Sequence, residues 1–275
     1  MCEGNKVAVI MSLYKNDRLV YVKSAVDSIL NQTYKRIDLY IQFDGPIDNC
    51  IQKYLFGLND SRVIIKTRGE NKGLAVSLNE LLGVVKEKDY DFIARMDADD
   101  ISRLIRIEKQ VVFLESNPDV DMVGSAINEI DENGYDRGKV IRYPCKPSDC
   151  YSFFAKRNPV AHPSVMFRRS FLDKVGWAYP TDYIRNEDTR MWYEGYKHGC
   201  IVANLPDVLL DYRMTDDMFK QRRNGREFAK SQLLLRKMIA TELGYGMKAY
   251  VYAYCMYLLM VSPSWIRKIA YKLLR

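Results

Sequence analysis

Arg95-Met96-Asp97-Ala98-Asp99-Asp100 places three carboxylates in four positions, directly after Tyr90-Asp91-Phe92-Ile93-Ala94, a run that reads as a buried strand. An isolated acidic cluster is ordinarily a solvated turn. At the carboxyl end of a strand in an α/β protein, it occupies the rim where such folds place ligands. Asp97 and Asp99, two positions apart, can aim at one hard cation, and a divalent cation can hold a diphosphate. The fold then turns on whether strands and helices alternate around this strand.

They do. Residues 7–11 are a short apolar run ending in the turn Ser12-Leu13-Tyr14-Lys15-Asn16-Asp17. Leu19, Val22, Val26, Ile29 and Leu30 recur at helical spacing, closed by Asn31-Gln32-Thr33. Residues 37–43 alternate like a strand and stop at the turn Asp44-Gly45-Pro46. A helix over 51–58, a strand over 63–66 and the loop Gly69-Glu70-Asn71-Lys72-Gly73 follow, then a helix marked by Leu74, Leu78, Leu81, Leu82 and Val85. After the acidic turn a helix starts near Arg103 and runs to Glu115. This order predicts an α/β fold, a mostly parallel Rossmann-like central sheet with helices on both faces. Four polar strand ends then share one rim: Ser12 with Tyr14, Asp44, the 67–73 loop, and Asp97 with Asp99. Four such ends on one rim indicate a nucleotide crevice.

Further along, strand-like pieces over 126–130 and 140–143 flank the turn Asp131-Glu132-Asn133-Gly134. Asn158-Pro159-Val160-Ala161-His162-Pro163 forms a loop before an apolar run over 164–167. Asn186-Glu187-Asp188 opens a helix through Trp192 and Tyr196. Acidic residues suit a first helical turn, so Glu187 and Asp188 also read as caps. Trp192 can stack on a sugar face or, spaced with Tyr196, serve the core.

With 275 residues, 48% apolar and 28% charged, the chain can build one large core, or a core plus an appendage. The polar start does not resemble a signal peptide. The six cysteines show no CxxC pair and read as free thiols of a reducing compartment, by default the cytoplasm. The net charge of +7 is uneven, because residues 216–275 hold twelve Lys/Arg against four Asp/Glu. Residues 249–261 are apolar and tyrosine-rich but fall short of the roughly 18–20 needed to span a bilayer. In 265–275, Trp265, Ile266, Ile269 and Leu273 segregate from basic residues as on a helix lying in an anionic membrane surface. That tail is too apolar for a nucleic-acid arm; a core helix or a homodimer seam is its alternative reading.

Together Val9-Ile10-Met11-Ser12-Leu13-Tyr14, Gln42-Phe43-Asp44-Gly45, Asn71-Lys72-Gly73-Leu74-Ala75, the acidic turn, His162-Pro163-Ser164-Val165-Met166-Phe167 and Asn186-Glu187-Asp188 resemble family 2 glycosyltransferases. The chain is most similar to bacterial members that build O-antigen, capsule or exopolysaccharide. The resemblance implies a GT-A fold and an inverting, metal-dependent hexosyltransferase that takes a UDP-sugar donor and a lipid-linked oligosaccharide acceptor. It implies that Ser12 and Tyr14 pack on the nucleoside, that Asp44 bonds the base, and that Lys72 and Arg95 lie near the phosphates. Asp97 and Asp99 match the DxD pair that holds Mn²⁺ or Mg²⁺, with Asp99 the firmer ligand; Asp100 reads equally as a cap of the next helix. Asp188 matches the catalytic base, while Glu187, His162 and Trp192 are acceptor-side candidates.

Elementary chemistry agrees. Expelling UDP from a sugar C1 calls for charge neutralisation on the leaving diphosphate, and the attacking hydroxyl needs one carboxylate as base. The implied division is 1–125 for the nucleotide sugar, 126–215 for the acceptor and base, and 216–275 as a basic amphipathic helical tail on the inner face of the cell membrane. Asp44-Gly45-Pro46 lacks the second acid and serine of the common DDGS form. Gln221-Arg222-Arg223-Asn224-Gly225 has no tryptophan to complete the QxxRW motif of processive members, so one sugar per encounter is expected. Two other classes stay open: a nucleotidyltransferase, which would want a Gly-rich basic loop after the first strand, and an inactive membrane-surface scaffold.

Overall fold

The acidic turn leaves a strand that has sheet on both sides. The computed structural model describes residues 4–181, 186–215 and 226–262. Its elements are β1 (Val7–Leu13), α1 (Leu19–Leu30), β2 (Ile37–Phe43), α2 (Asn49–Phe56), β3 (Val63–Thr67), α3 (Leu74–Lys86), β4 (Phe92–Met96) and β5 (Ile101–Ser102). Then come α4 (Arg106–Ser116), β6 (Met122–Ile130), β7 (Asp136–Ile141), α5 (Pro147–Phe154), a 3₁₀ turn (His162–Ser164), β8 (Met166–Arg168) and α6 (Arg169–Val175). The last are α7 (Glu187–Lys197), β9 (Val202–Arg213), α8 (Arg226–Glu242) and α9 (Met247–Val261).

Among the described residues the strands form one sheet, ordered β3-β2-β1-β4-β8-β6-β9-β5, with β7 on β6. The expected parallel pairing holds across β3-β2-β1-β4. Beyond β4 the sheet is mixed, because β8 runs antiparallel to both β4 and β6 while β9 is parallel to β6. The whole is a mixed α/β sheet, parallel where the four polar strand ends gather.

Both faces of the parallel part are covered, so its strands are apolar without alternation. Val9 and Met11 of β1, with Ala94 and Met96 of β4, join Val22 and Val26 of α1, Ile51 of α2 and Ile107 of α4 in one core. On the other face α3 packs against β1 and β2 through buried Leu78, Leu81, Leu82 and Val85. Each such leucine contributes about 1.5–3 kcal/mol of burial. Arg95 sits two positions beyond Ile93 on this second face, a placement fixed by the two-residue period of the strand.

Several boundaries differ from the sequence reading. The helix expected from Arg103 starts at Arg106, because Ile101 and Ser102 pair with Asp211 and Leu210 of β9. Buried Gln32 donates to the Arg103 carbonyl at 2.9 Å and holds this stretch extended. The strand-like piece expected over 126–130 starts earlier, as β6 from Met122, and is buried along its whole length.

Contacts divide the chain into two units, Met1–Cys150 with Pro159–Met214, and Tyr151–Asn158 with Thr215–Arg275. In the second, α8 and α9 pack on each other, and the Tyr245 hydroxyl donates to the Tyr151 carbonyl at 2.5 Å. Among the described residues no helix is long and apolar enough to cross a membrane. The 265–275 segment and Gln221–Gly225 lie outside the described residues.

Candidate active site

Four strand ends meet at the rim. The β1 and β2 ends are tied where the Asp44 N–H donates to the Leu13 carbonyl at 2.7 Å. Ser12 stands half-buried and Tyr14 exposed beside them. Asp44 is buried, and protein donors fill its carboxylate: Arg68 in an ion pair, the Lys72 N–H at 2.7 Å, and the Gly73 N–H and Asn71 Nδ2 both at 3.0 Å. Asp44 therefore holds the 68–73 loop against the end of β2. Gly45 makes the closure possible: its φ is +81°, and a Cβ there would meet the Asn71 nitrogen at 2.7 Å. The Lys72 ammonium pairs with Glu70 at 2.7 Å on the exposed edge of this loop.

At the end of β4 the carboxylate oxygens of Asp97, Asp99 and Asp100 lie within 4.8 Å of one another. Asp100 is not a helix cap, since α4 starts six residues later. It is fully buried; Oδ1 accepts the Arg213 N–H at 2.8 Å, and Oδ2 has no hydrogen-bond partner among the described residues. Burial, then the charges of Asp99 and Asp97, push its carboxyl well above the usual range. An orphaned buried oxygen among three crowded acids fits a hard divalent cation, with Asp97, Asp99 and Asp100 all available to hold it.

The Arg95 guanidinium is 1% exposed and ion-pairs with Asp97, and its Nε has no hydrogen-bond partner among the described residues. The pair follows from strand geometry, since residues i and i+2 share a face. Below it, buried Arg106 donates to the Arg95 carbonyl at 2.8 Å and to Gln110 at 3.1 Å.

Glu187 and Asp188 occupy the first turn of α7. Asp188 Oδ1 accepts the Thr189 N–H at 2.6 Å. Burial, then the charges of Asp188 and Asp97, raise the Glu187 carboxyl, and Arg95 opposes them. The start of α7 therefore shares an electrostatic neighbourhood with the acidic turn, although about ninety residues separate them in sequence. His162 joins this group: its Nε2 is 3.1 Å from the Tyr179 hydroxyl, and burial with nearby Arg95 holds the imidazole well below its usual pKa, hence neutral. Trp192 is part of the core: it is 0% exposed, edge-on to His162 at 5.7 Å and 5.9 Å from Phe167.

Two residues of this site, Arg68 and Tyr179, lie outside the expectations from sequence, and Arg213 joins them. Arg68 braces Asp44 and pairs with Glu80 at 2.9 Å; its position at the end of β3 was the available signal. Tyr179 is clamped by Asn79 through bonds of 2.7 and 2.9 Å, which no local pattern marks. Arg213, at the end of β9, donates from Nε to the Asp99 carbonyl at 2.7 Å and from Nη1 to the Asp131 and Glu132 carbonyls at 3.1 Å. It lies 4.3 Å over the Tyr21 ring and so braces the acidic turn from behind.

A family model described as "Glycosyl transferase family 2" matches residues 8–176. The amylovoran biosynthesis glycosyltransferase AmsE of Erwinia amylovora is 32% identical over 232 residues, 84% of each chain. The Escherichia coli O-antigen biosynthesis glycosyltransferase WbnJ is 35% identical over 213 residues, 76% of this chain and 79% of that one. The Escherichia coli UDP-Gal:alpha-D-GlcNAc-diphosphoundecaprenol beta-1,3-galactosyltransferase is 29% identical over 232 residues, 83% and 81%. Among solved structures, S. aureus TarS 1–349 in complex with UDP-GlcNAc superposes with a TM-score of 0.66 at 12% identity, covering 96% of this chain and 83% of that one. The chain spans 50% of the longer TarS chain. The Pyrobaculum calidifontis mannosyltransferase PcManGT, in complex with GDP-Man and Mn²⁺, gives a TM-score of 0.58 at 14% identity, covering 98% and 80%. At these identities the structures establish the fold.

Proposed function

The chain belongs to glycosyl transferase family 2, and from that premise we propose that it is an inverting transferase that moves a hexose or N-acetylhexosamine from a UDP-sugar to a lipid-linked glycan in bacterial surface polysaccharide assembly. The product is a β-glycoside. The observation that carries this reading is the pairing of two acidic sets: Asp97, Asp99 and Asp100 crowd around an orphaned oxygen, and Glu187 with Asp188 stands within their field.

Each set has one task. Asp99 and Asp97, with Asp100 beneath, would hold Mn²⁺ or Mg²⁺, which when bound neutralises charge on the departing diphosphate. Arg95 keeps Asp97 aimed by its ion pair, and Arg213 fixes the turn through the Asp99 carbonyl. Asp188 takes the proton of the acceptor hydroxyl as that oxygen attacks C1 opposite the UDP, which inverts the centre. The Thr189 N–H, in the first turn of α7, donates to the Asp188 Oδ1 and orients the carboxylate. Glu187, with its raised pKa, carries a proton more readily than an ordinary glutamate and can donate it to an acceptor oxygen. Ser12 and Tyr14 flank the nucleoside, and the Asp44-folded loop closes its other side.

UDP as donor nucleotide is supported by the UDP-GlcNAc complex of TarS and by the UDP-Gal enzyme of Escherichia coli, whose acceptor is linked to diphosphoundecaprenol. Mn²⁺ is supported by the PcManGT complex. The test is UDP release by the full chain across a panel of UDP-sugars, with a polyprenyl-diphosphate-linked sugar acceptor and Mn²⁺. Release that is lost in Asp188→Asn, with UDP affinity retained, supports the roles given. Metal-dependent UDP binding without release from any donor would indicate an inactive scaffold. Asp99→Ala should abolish metal-dependent UDP binding, and unchanged affinity by calorimetry would overturn the metal assignment.

A further inference from the structure

From Leu243 to Ser262 the sequence carries a single charged residue, Lys248, and no carboxylate. Helix α9, inside this stretch, is seated on its neighbours through buried Ala249 and Ala253. Met247, Val251, Tyr254 and Leu258 recur at i, i+4, i+7 and i+11, so they share the opposite face, and that face is open: Met247 is 75% exposed and Leu258 63%. Leu234 of α8 is exposed as well, and the Lys237 ammonium lies 5.6 Å from the Tyr254 ring centre, so the two helices contribute to one surface. A row of this size with no partner among the described residues is unusual for a surface helix.

Charge identifies the occupant. Lys230 and Lys237 of α8 and Lys248 of α9 border the apolar row, while the hairpin's carboxylates, Glu227 and Glu242, stand at the two ends of α8. Residues 263–275 add Arg267, Lys268, Lys272 and Arg275 without a carboxylate. A second copy docked through this face would set lysines against lysines, which is unfavourable. An apolar row edged by lysines matches the acyl boundary and anionic headgroups of a bilayer. We propose that the face formed by Met247, Val251, Tyr254 and Leu258, with Leu234 and the flanking lysines, docks on an anionic lipid surface. At fifteen residues α9 lies along that surface and does not cross it. The proposal stands on lipid binding alone and is independent of the donor, the acceptor and the metal.

The experiment is flotation of the full chain with phosphatidylcholine vesicles, with and without phosphatidylglycerol. The native chain should float with the anionic vesicles, and salt should release it. Val251→Asp combined with Leu258→Asp, both on the open face, should leave the circular dichroism unchanged and lower vesicle partitioning by roughly tenfold or more. Cys255, exposed on the same helix, should be alkylated more slowly when anionic vesicles are present. Equal flotation of the double variant, equal binding to neutral vesicles or unaltered Cys255 alkylation would overturn the proposal. So would a dimer, detected by sedimentation, that the double variant abolishes while the native chain ignores vesicles.

Discussion

Asp100→Asn should reverse the order of stability between metal-free and metal-loaded protein. In the native chain Asp100 is fully buried, one of its oxygens lacks a partner among the described residues, and two other carboxylates crowd it. An unsatisfied buried charged acceptor costs about 1–3 kcal/mol. Asparagine keeps Oδ1 for the Arg213 N–H and turns the orphaned oxygen into a donor toward Asp97 and Asp99. In EDTA the variant should therefore be more stable by about 1–2 kcal/mol, which raises Tm by roughly 2–8 °C for a domain of this size. The pH sign agrees. Asp100 has a raised folded-state pKa, so the folded chain holds the extra proton above the ordinary aspartate value. Stability then falls as pH rises from the ordinary aspartate value through the raised folded-state pKa. Saturating Mn²⁺ and UDP should stabilise the native protein by about 2.7 kcal/mol at a hundredfold excess over Kd, and the variant by much less. Thermal melts in EDTA and in Mn²⁺ with UDP decide the matter. A variant that melts below the native protein in EDTA would show that Asp100 serves as an anchor for β9. An undiminished Mn²⁺ shift would show that it does not hold metal.

Trp192→Ala should cost about 3–5 kcal/mol by denaturant titration, because the indole fills the core behind His162; loss of activity at native stability would return Trp192 to the acceptor site. Gly45→Ala should cost at least about 1–2 kcal/mol for the left-handed backbone alone and weaken UDP binding by opening the 68–73 loop, so native UDP affinity by calorimetry would refute that account. Glu187, with its carboxyl raised by burial, binds a proton more tightly folded than unfolded, so its contribution to stability falls as pH rises above about 4.5. Glu187→Gln should flatten that part of the pH–stability curve, and an identical curve would refute the shift.

Local pattern exposed much of this site. Strand ends at Ser12, Asp44 and Asp97 follow from apolar runs broken by turn residues, and the acidic first turn of α7 is visible as Asn186-Glu187-Asp188. Orientation was not legible. Arg95 is expected near the phosphates, and only the tertiary structure shows that the strand period and the β8 neighbour bury it against Asp97. Asp44 reads as a free acid at a turn, yet the 68–73 loop folds back onto it. Trp192 was ambiguous because helical spacing suits a core and a sugar platform alike.

By itself the sequence determined the alternating α/β order, the rim on which the polar ends gather and the identity of the acids, because periodicity and turn chemistry are local properties. Only the tertiary structure decided which of those groups are spoken for. Pairing of β4 with β8, and of β6 with β9, joins residues far apart in the chain. That joining places Arg213 behind the acidic turn and Glu187 within the field of Asp97. It also leaves Asp100 buried with one oxygen unpartnered among the described residues, because burial and hydrogen-bond partnership depend on what packs around a residue, which its sequence neighbours do not specify.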